Sequence, residues 1–421
     1  MRTSLVLDPV LGDLPLLLDA EHVAPDLEAV WRSSCGRPVH VDRCRRIDTR
    51  YAPCAGCVAT YELRDERPGA PLRQTIGVVE IDAAGSRARL YQHDPALPGL
   101  IAAADARTIA PRLRALAAVE RCAVTPVHYK PGQSCVLSYR GARPPLLGKL
   151  GAGLDRTHAQ RLRALHDDAA AHPLMPRILA PIAYWPDLGL LIQPKVSAAV
   201  DLTTTAFDGA AGQTRASLLR AVGSGIATLH KRVTVSGPQR RIDDDLTGLR
   251  RYETLFRHLM PDLAAKFAVV VSQLATTAAD REEQDPVASH GALRTGQFLV
   301  GDDGALTLID LDGFCWANPA RDIGNLLAYL DWRAIRRPDE ADAVAEARAE
   351  FLDGYSSVMS IDTRWLSVYR AAAMLKIAGR RLRRLDFEDW PLLGDLVEAA
   401  HASGHVDQAA AAAHRRAAAA N

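Results

Sequence analysis

The stretch from His290 to Tyr329, HGALRTGQFLVGDDGALTLIDLDGFCWANPARDIGNLLAY, constrains the chain more than any other. It begins as a polar loop, His290 to Gly296, and passes into an apolar run, Gln297 to Val300. Gly301-Asp302-Asp303-Gly304 has tight-turn composition, and a second apolar run, Ala305 to Ile309, follows. Two short apolar runs joined by an Asp/Gly turn predict a β-hairpin. Asp310 and Asp312 come just after its second strand, where a carboxylate can point into a cleft and meet a cation. Pro319-Ala320-Arg321-Asp322 then opens an apolar helix.

This order resembles the catalytic segment of the aminoglycoside phosphotransferase and choline-kinase family. That family's pattern runs H-G-D-x-x-x-x-N-hydrophobic, a Gly/Asp turn, hydrophobic-I-D-W/F-D, then D-P-x-x-D. His290, Gly291, Gly296, Asp310, Asp312, Pro319 and Asp322 fall in register with it. The resemblance implies an α+β, protein-kinase-like fold, with a small antiparallel-sheet lobe and a larger, mainly helical lobe. It also implies ATP, magnesium and a small-molecule hydroxyl as acceptor. In this reading Asp310 is the magnesium ligand, with Asp312 helping the metal or capping a turn. His290 is a scaffold residue of the loop, and Asp322 hydrogen-bonds the loop backbone. Asn318 replaces the first Asp of the last motif.

Two departures from the pattern fall on chemistry. Ala292 stands where the family has its catalytic Asp, and Gln297 where it has a metal-binding Asn. In kinase-type transfer that Asp accepts the proton of the attacking hydroxyl, while the Asn and a later Asp hold magnesium. Alanine does neither; Gln297 keeps an amide oxygen one methylene farther out. The expectation is a catalytically impaired pseudokinase that still binds ATP and magnesium and acts by binding a small molecule or a protein partner. The alternative is an active phosphotransferase with another base, Asp312 being the nearest candidate.

Composition narrows the setting. With 51 basic against 50 acidic residues among 421, no general attraction to nucleic acid or anionic membrane is implied. No run approaches the about 18 apolar residues of a membrane-spanning helix. The apolar patch Val10 to Leu18 is interrupted by Asp13 and Pro15, unlike a signal peptide. An odd number of scattered cysteines, seven, suits reduced thiols in a cytoplasm. Cys54-x-x-Cys57 lacks a second pair and reads as small buried residues. The Ala/Arg/Leu-rich composition suggests a bacterial source.

Upstream, residues 1–40 predict one amphipathic helix, about Ala20 to Trp31. An internal repeat follows: Tyr51 to Tyr61 and Tyr129 to Tyr139 both read Y-x-P-x-x-x-C-V-x-x-Y. Each predicts a turn and an alternating strand, then a Pro-containing turn (Arg67 to Pro71; Arg143 to Pro145) and a further strand, Thr75 to Ile81 or Leu146 to Leu150. Under the resemblance, the second copy covers the nucleotide: Lys130-Pro131-Gly132 lies over the phosphates and Lys149 pairs with them. Alignment of the copies sets Val78 opposite Lys149. A helix over Asp155 to Ala171 offers only Asp167 or Asp168 for the Glu that pairs with a kinase's strand Lys; both read as surface residues.

Ile178 to Tyr184 and Leu188 to Gln193 read as a hairpin, with a lobe hinge after Gln193 at Pro194 to Ser197. Helices are expected over Leu218 to Arg232, twice within Asp243 to Ala279, and over Glu340 to Tyr355 and Ile361 to Leu385. His230 reads as a helix-end residue, and Arg380-Arg381-Leu382-Arg383-Arg384 as a solvated helix end. The expected organisation is an N-terminal extension with the duplicated β unit (1–110), a small lobe (111–195), a helical lobe (196–404, with the catalytic-loop-like segment 290–325) and an Ala-rich tail (405–421).

Overall fold

The computed structural model describes residues 8–66, 73–196, 199–209, 212–280 and 282–403. The Arg67 to Pro71 turn, Ser197 of the expected hinge and the tail from His405 lie outside them. The chain forms two compact units. One comprises Met1–Gln160, Ala180–Ser197 and Arg383–Leu385; the other comprises Arg161–Leu179, Ala198–Leu382 and Asp386–Asn421.

The first unit opens with helices α1 (Leu14–Leu18) and α2 (Ala20–Cys35). Strands β1 (Arg43–Ala52), β2 (Gly56–Asp65), β3 (Arg73–Asp82) and β4 (Gly85–Leu90) follow as an antiparallel meander. The plan then recurs in α3 (Leu100–Ala104), α4 (Ala106–Arg114), β5 (Ala118–Lys130), β6 (Ser134–Arg143) and β7 (Leu146–Gly151). After α5 (Arg156–Ala171) and β8 (Arg177–Ile178), which fall mainly in the second unit, the first unit resumes with β9 (Ala183–Trp185) and β10 (Leu190–Pro194), completing a sheet of order β5-β6-β7-β10-β9.

The duplication is longer than the Tyr-to-Tyr segments. Asp8, Pro9, Leu11, Leu14, Asp19, Pro25 and Leu27 stand 86 positions before Asp94, Pro95, Leu97, Leu100, Asp105, Pro111 and Leu113. The same bonds form in both copies. Tyr51 donates its hydroxyl to Asp8 at 2.7 Å and Tyr129 donates to Asp94 at 2.6 Å. The N–H of Cys54 reaches Asp8 at 2.8 Å and that of Gly132 reaches Asp94 at 2.7 Å. Cys54 and Gly132 take φ of +57° and +68°, so each turn carries one left-handed residue at the same place. The hydroxyls of Tyr61 and Tyr139 donate to the carbonyls of Leu17 and Ala103.

The ladders correct the alignment of the third strands. Val58 pairs with Glu80 across β2 and β3, whereas Val136 pairs with Lys149 across β6 and β7. Glu80, not Val78, is therefore the counterpart of Lys149. The turns before the third strands differ in length, so counting through them slips the register by two residues and preserves the face. One apolar cluster joins the copies, bringing Ile76, Val78 and Tyr91 together with Tyr129, Leu137 and Leu150.

The second unit is mainly helical: α6 (Leu202–Thr204), α7 (Gly212–Arg232), α8 (Ile242–Leu259), α9 (Pro261–Ala279), α10 (Ala320–Arg336), α11 (Ala341–Ser356) and α12 (Thr363–Arg383). Its strands are β11 (Val200–Asp201), β12 (Val287–Ser289), β13 (Phe298–Val300), β14 (Leu306–Leu308) and β15 (Cys315–Ala317). The expected hairpin around Gly301 to Gly304 is β13 and β14, paired antiparallel. Helices α7 and α11 touch through glycine. A Cβ on Gly223 would fall 2.1 Å from the Phe351 carbonyl oxygen, and one on Gly354 2.1 Å from that of Arg220.

Two expectations are corrected here. Ile178 does not begin a hairpin with Leu188 to Gln193: it is in β8, which runs parallel to β14 and buries that side chain. The hairpin is the shorter pair β9 and β10. Nor is the basic run at the end of α12 solvated throughout. Arg380 donates to the Tyr329 hydroxyl at 3.3 Å, Arg381 pairs with Asp386 at 3.0 Å and Arg384 lies 3.2 Å from Asp48. These three guanidinium groups each meet an acceptor, and only Arg383 of the four is exposed.

Candidate functional site

The loop after β12 is held by the helix that opens at Ala320. Asp322, fully buried in the first turn of α10, accepts the backbone N–H of His290 at 2.6 Å and of Gly291 at 2.8 Å. Arg321 donates Nε to the Gly291 carbonyl at 3.2 Å, and Asn325 donates its amide to the Leu293 carbonyl at 2.6 Å. Three residues of one helix thus fix both the donors and the acceptors of residues 290–293. Gly291 has φ of +85°, and a Cβ there would sit 2.1 Å from the Gly313 carbonyl oxygen. Only glycine fits that approach.

His230, at the end of α7, completes the support. Its Nε2 lies 3.3 Å from Asp322 and its Nδ1 2.8 Å from the Tyr355 hydroxyl. A helix-end reading therefore undervalues it, since its ring is buried and bridges α10 to α11. Burial alone would raise the Asp322 pKa. The hydrogen bond and charge of His230, with His290, instead hold it below the ordinary carboxylate range. His290 is itself buried, with Nε2 3.0 Å from the Ile309 carbonyl oxygen.

Ala292, half-buried, follows Gly291 in this clamped loop and brings only a methyl group. Gln297 is buried and accepts the Arg294 N–H through Oε1 at 2.9 Å, closing a short helical turn. Asp310 has φ of +64°, a left-handed conformation uncommon for any residue but glycine and concentrated at functional sites. Its side chain is exposed, as is that of Asp312. Lys130, Gly132, Lys149 and Gln193 belong to the first unit, and Ala292, Gln297, Asp310 and Asp312 to the second. Lys149 is half-buried on β7, paired with Val136 on one side and Leu191 on the other.

A cavity of about 630 Å³ opens beside Gly291 within the second unit. Arg240, Arg251, Arg321 and Lys376 line it against Asp244 and Asp245. Asp245 accepts both terminal nitrogens of Arg321, one at 3.1 Å, and lies 3.8 Å from the Lys376 ammonium. Burial pushes Lys376 down to about 8, reinforced by Arg380, Arg321 and Arg240 and opposed by Asp245. Sequence reading did not bring these residues together, because they come from α8 and the loop before it, from α10 and from α12, and share no local pattern.

Residues 156–361 match the family model described as the phosphotransferase enzyme family. Spectinomycin phosphotransferase, solved with ADP and spectinomycin, matches at 14% identity and a TM-score of 0.50, over 71% of this chain and 98% of that one. Amicoumacin kinase, solved with AMP-PNP and Ca2+, matches at 15% identity and 0.50, over 71% and 94%. These likenesses establish the protein-kinase-like fold. No curated protein matches the sequence. Among the described residues, no three His, Cys, Asp or Glu side chains gather as a metal cage. No helix among the described residues is long and apolar enough to cross a membrane.

Proposed function

We propose that this phosphotransferase-fold protein binds ATP with magnesium, and a small polar ligand or protein partner, while transferring phosphate poorly. The observation that carries the reading is Ala292: a methyl group in a loop whose neighbours are fixed on both sides by α10. The scaffold of a catalytic loop is kept and its base is gone. Lys149, Lys130 and Gly132, with the backbone near Gln193, are the proposed nucleotide contacts. Asp310 is the proposed magnesium ligand, with Gln297 beside it in role. When bound, the metal neutralises charge on the phosphates. The ADP of one similar structure and the AMP-PNP and Ca2+ of the other support a nucleotide with a divalent cation here.

The cavity beside Gly291 is the proposed ligand site. Four cationic side chains against two carboxylates favour a hydroxylated molecule that carries a carboxylate or phosphate, over a polycationic one. Thermal stability with and without ATP and magnesium, beside a sensitive ATP-turnover assay, tests the reading. Stabilisation with little turnover is expected. In the Ala292→Asp/Gln297→Asn variant, turnover should rise by about 10²- to 10⁴-fold, the contribution of a positioned base. Turnover in the unmodified protein that disappears in Asp312→Ala would favour the second reading, an active enzyme with Asp312 as base. The exposure of that carboxylate two residues past Asp310 recommends it.

A further inference from the structure

We infer that the N-terminal copy of the duplicated unit is a clamp on the β5–β6 turn, with Arg50 and Arg89 as positioning residues for the segment Lys130-Pro131-Gly132. The inference rests on the proposed reading of that segment as the cover over the nucleotide's phosphates. Arg50, from β1, donates Nη1 to the Pro131 carbonyl at 2.8 Å. Arg89, from β4, donates to the Tyr129 hydroxyl at 2.9 Å. The Tyr129 hydroxyl donates in turn to Asp94, and the same Asp94 oxygen accepts the Gly132 N–H. Arg89 is held in turn by Glu80 through two donors, at 2.8 and 3.2 Å. The turn is therefore gripped at three successive points: its entering tyrosine, the Pro131 carbonyl and the Gly132 amide.

The first copy serves as an internal control. Its own turn keeps the bonds from Tyr51 and Cys54 to Asp8. Arg50 and Arg89 reach from the first copy to the second copy's turn, beyond the bonds to aspartate that the two turns share. Arg50 and Arg89 are mostly buried, with side chains about one-fifth exposed, at 20% and 18%. Charged donors in such positions make short, directional bonds to neutral oxygens, which suits the holding of a backbone loop at a fixed height. Lys130 and Lys149 then project from a surface whose rim does not drift.

The test uses the full chain with Arg50→Met and Arg89→Met, which keep much of the aliphatic stem. Amide hydrogen exchange across residues 131–134, read at the N–H groups of Gly132, Gln133 and Ser134, should accelerate about tenfold in each, the scale of one lost charge-assisted hydrogen bond. The dissociation constant for ATP with magnesium should weaken by a similar factor. Asp8→Asn, which loosens the first copy's turn, should leave exchange at residues 131–134 unchanged. Unchanged exchange in both arginine variants overturns the clamp, as does equal acceleration by Asp8→Asn, which would mark a general loss of stability. Faster exchange with unaltered ATP affinity overturns its link to the nucleotide. If the unmodified protein binds no ATP, the reading of the turn fails, while the exchange data still decide whether the clamp exists.

Discussion

At the scale of single residues, Asp322 carries the most weight. It is fully buried, takes two backbone donors and meets His230, so removing it leaves those donors without their acceptor. Asp322→Ala should destabilise the chain by about 3–5 kcal/mol, the cost of breaking a buried charged pair from one side, read as a shift in the urea midpoint. The pH dependence has a definite sign. A carboxyl held below its ordinary range contributes stability that is complete above the unfolded value, about 4, and is lost as pH falls through the folded value. Asp8 behaves likewise. Burial opposes its charge, but the Cys54 amide and the Tyr51 hydroxyl, with the amides of Val10 and Leu11, hold it at about 2. Acid titration should therefore unfold the chain progressively between about pH 4 and pH 2, and Asp8→Asn should flatten part of that slope. Little of this was legible in the sequence. His290, Gly291 and Asp322 could be found because they recur at fixed spacing within one stretch. His230 could not, because the residues it meets lie 92 and 125 positions away, and a lone histidine near a helix end has no spacing to betray it.

At the scale of elements, the sequence was most informative where periodicity and turn chemistry agree. The β13–β14 hairpin, the helices and the start of the repeat could all be read. The full extent of the repeat escaped because α2 has 16 residues and α4 has nine, which breaks the constant offset between the copies before the strands begin. Ladder register escaped for a related reason: unequal turns shift the count by two without changing which side chains face the core. Helix packing has no signature of this kind. Gly223 and Gly354 look like helix-weakening residues in isolation, yet each is where the partner helix's backbone approaches within 2.1 Å of a would-be Cβ. Gly223→Ala and Gly354→Ala should each destabilise the second unit by at least about 1–3 kcal/mol through overpacking. Alanine's better intrinsic propensity would predict the opposite sign, so denaturant unfolding of the two variants separates the effects cleanly.

At the scale of the molecule, the first unit cannot be trimmed back to its second copy. Ile76, Val78 and Tyr91 belong to the same apolar cluster as Tyr129, Leu137 and Leu150, and each large side chain stripped of cover forfeits about 1.5–3 kcal/mol. A chain beginning at Asp94 should therefore aggregate or melt well below the full chain, as circular dichroism would show. The duplication also records an unequal history. Where the second copy has Lys149, the first has Glu80, and that carboxylate now anchors Arg89. A lysine at position 80 would set two cations side by side and strip Arg89 of its tether. The two copies are thus no longer interchangeable: they carry opposite charges at one matched position, and a contact between them depends on that difference.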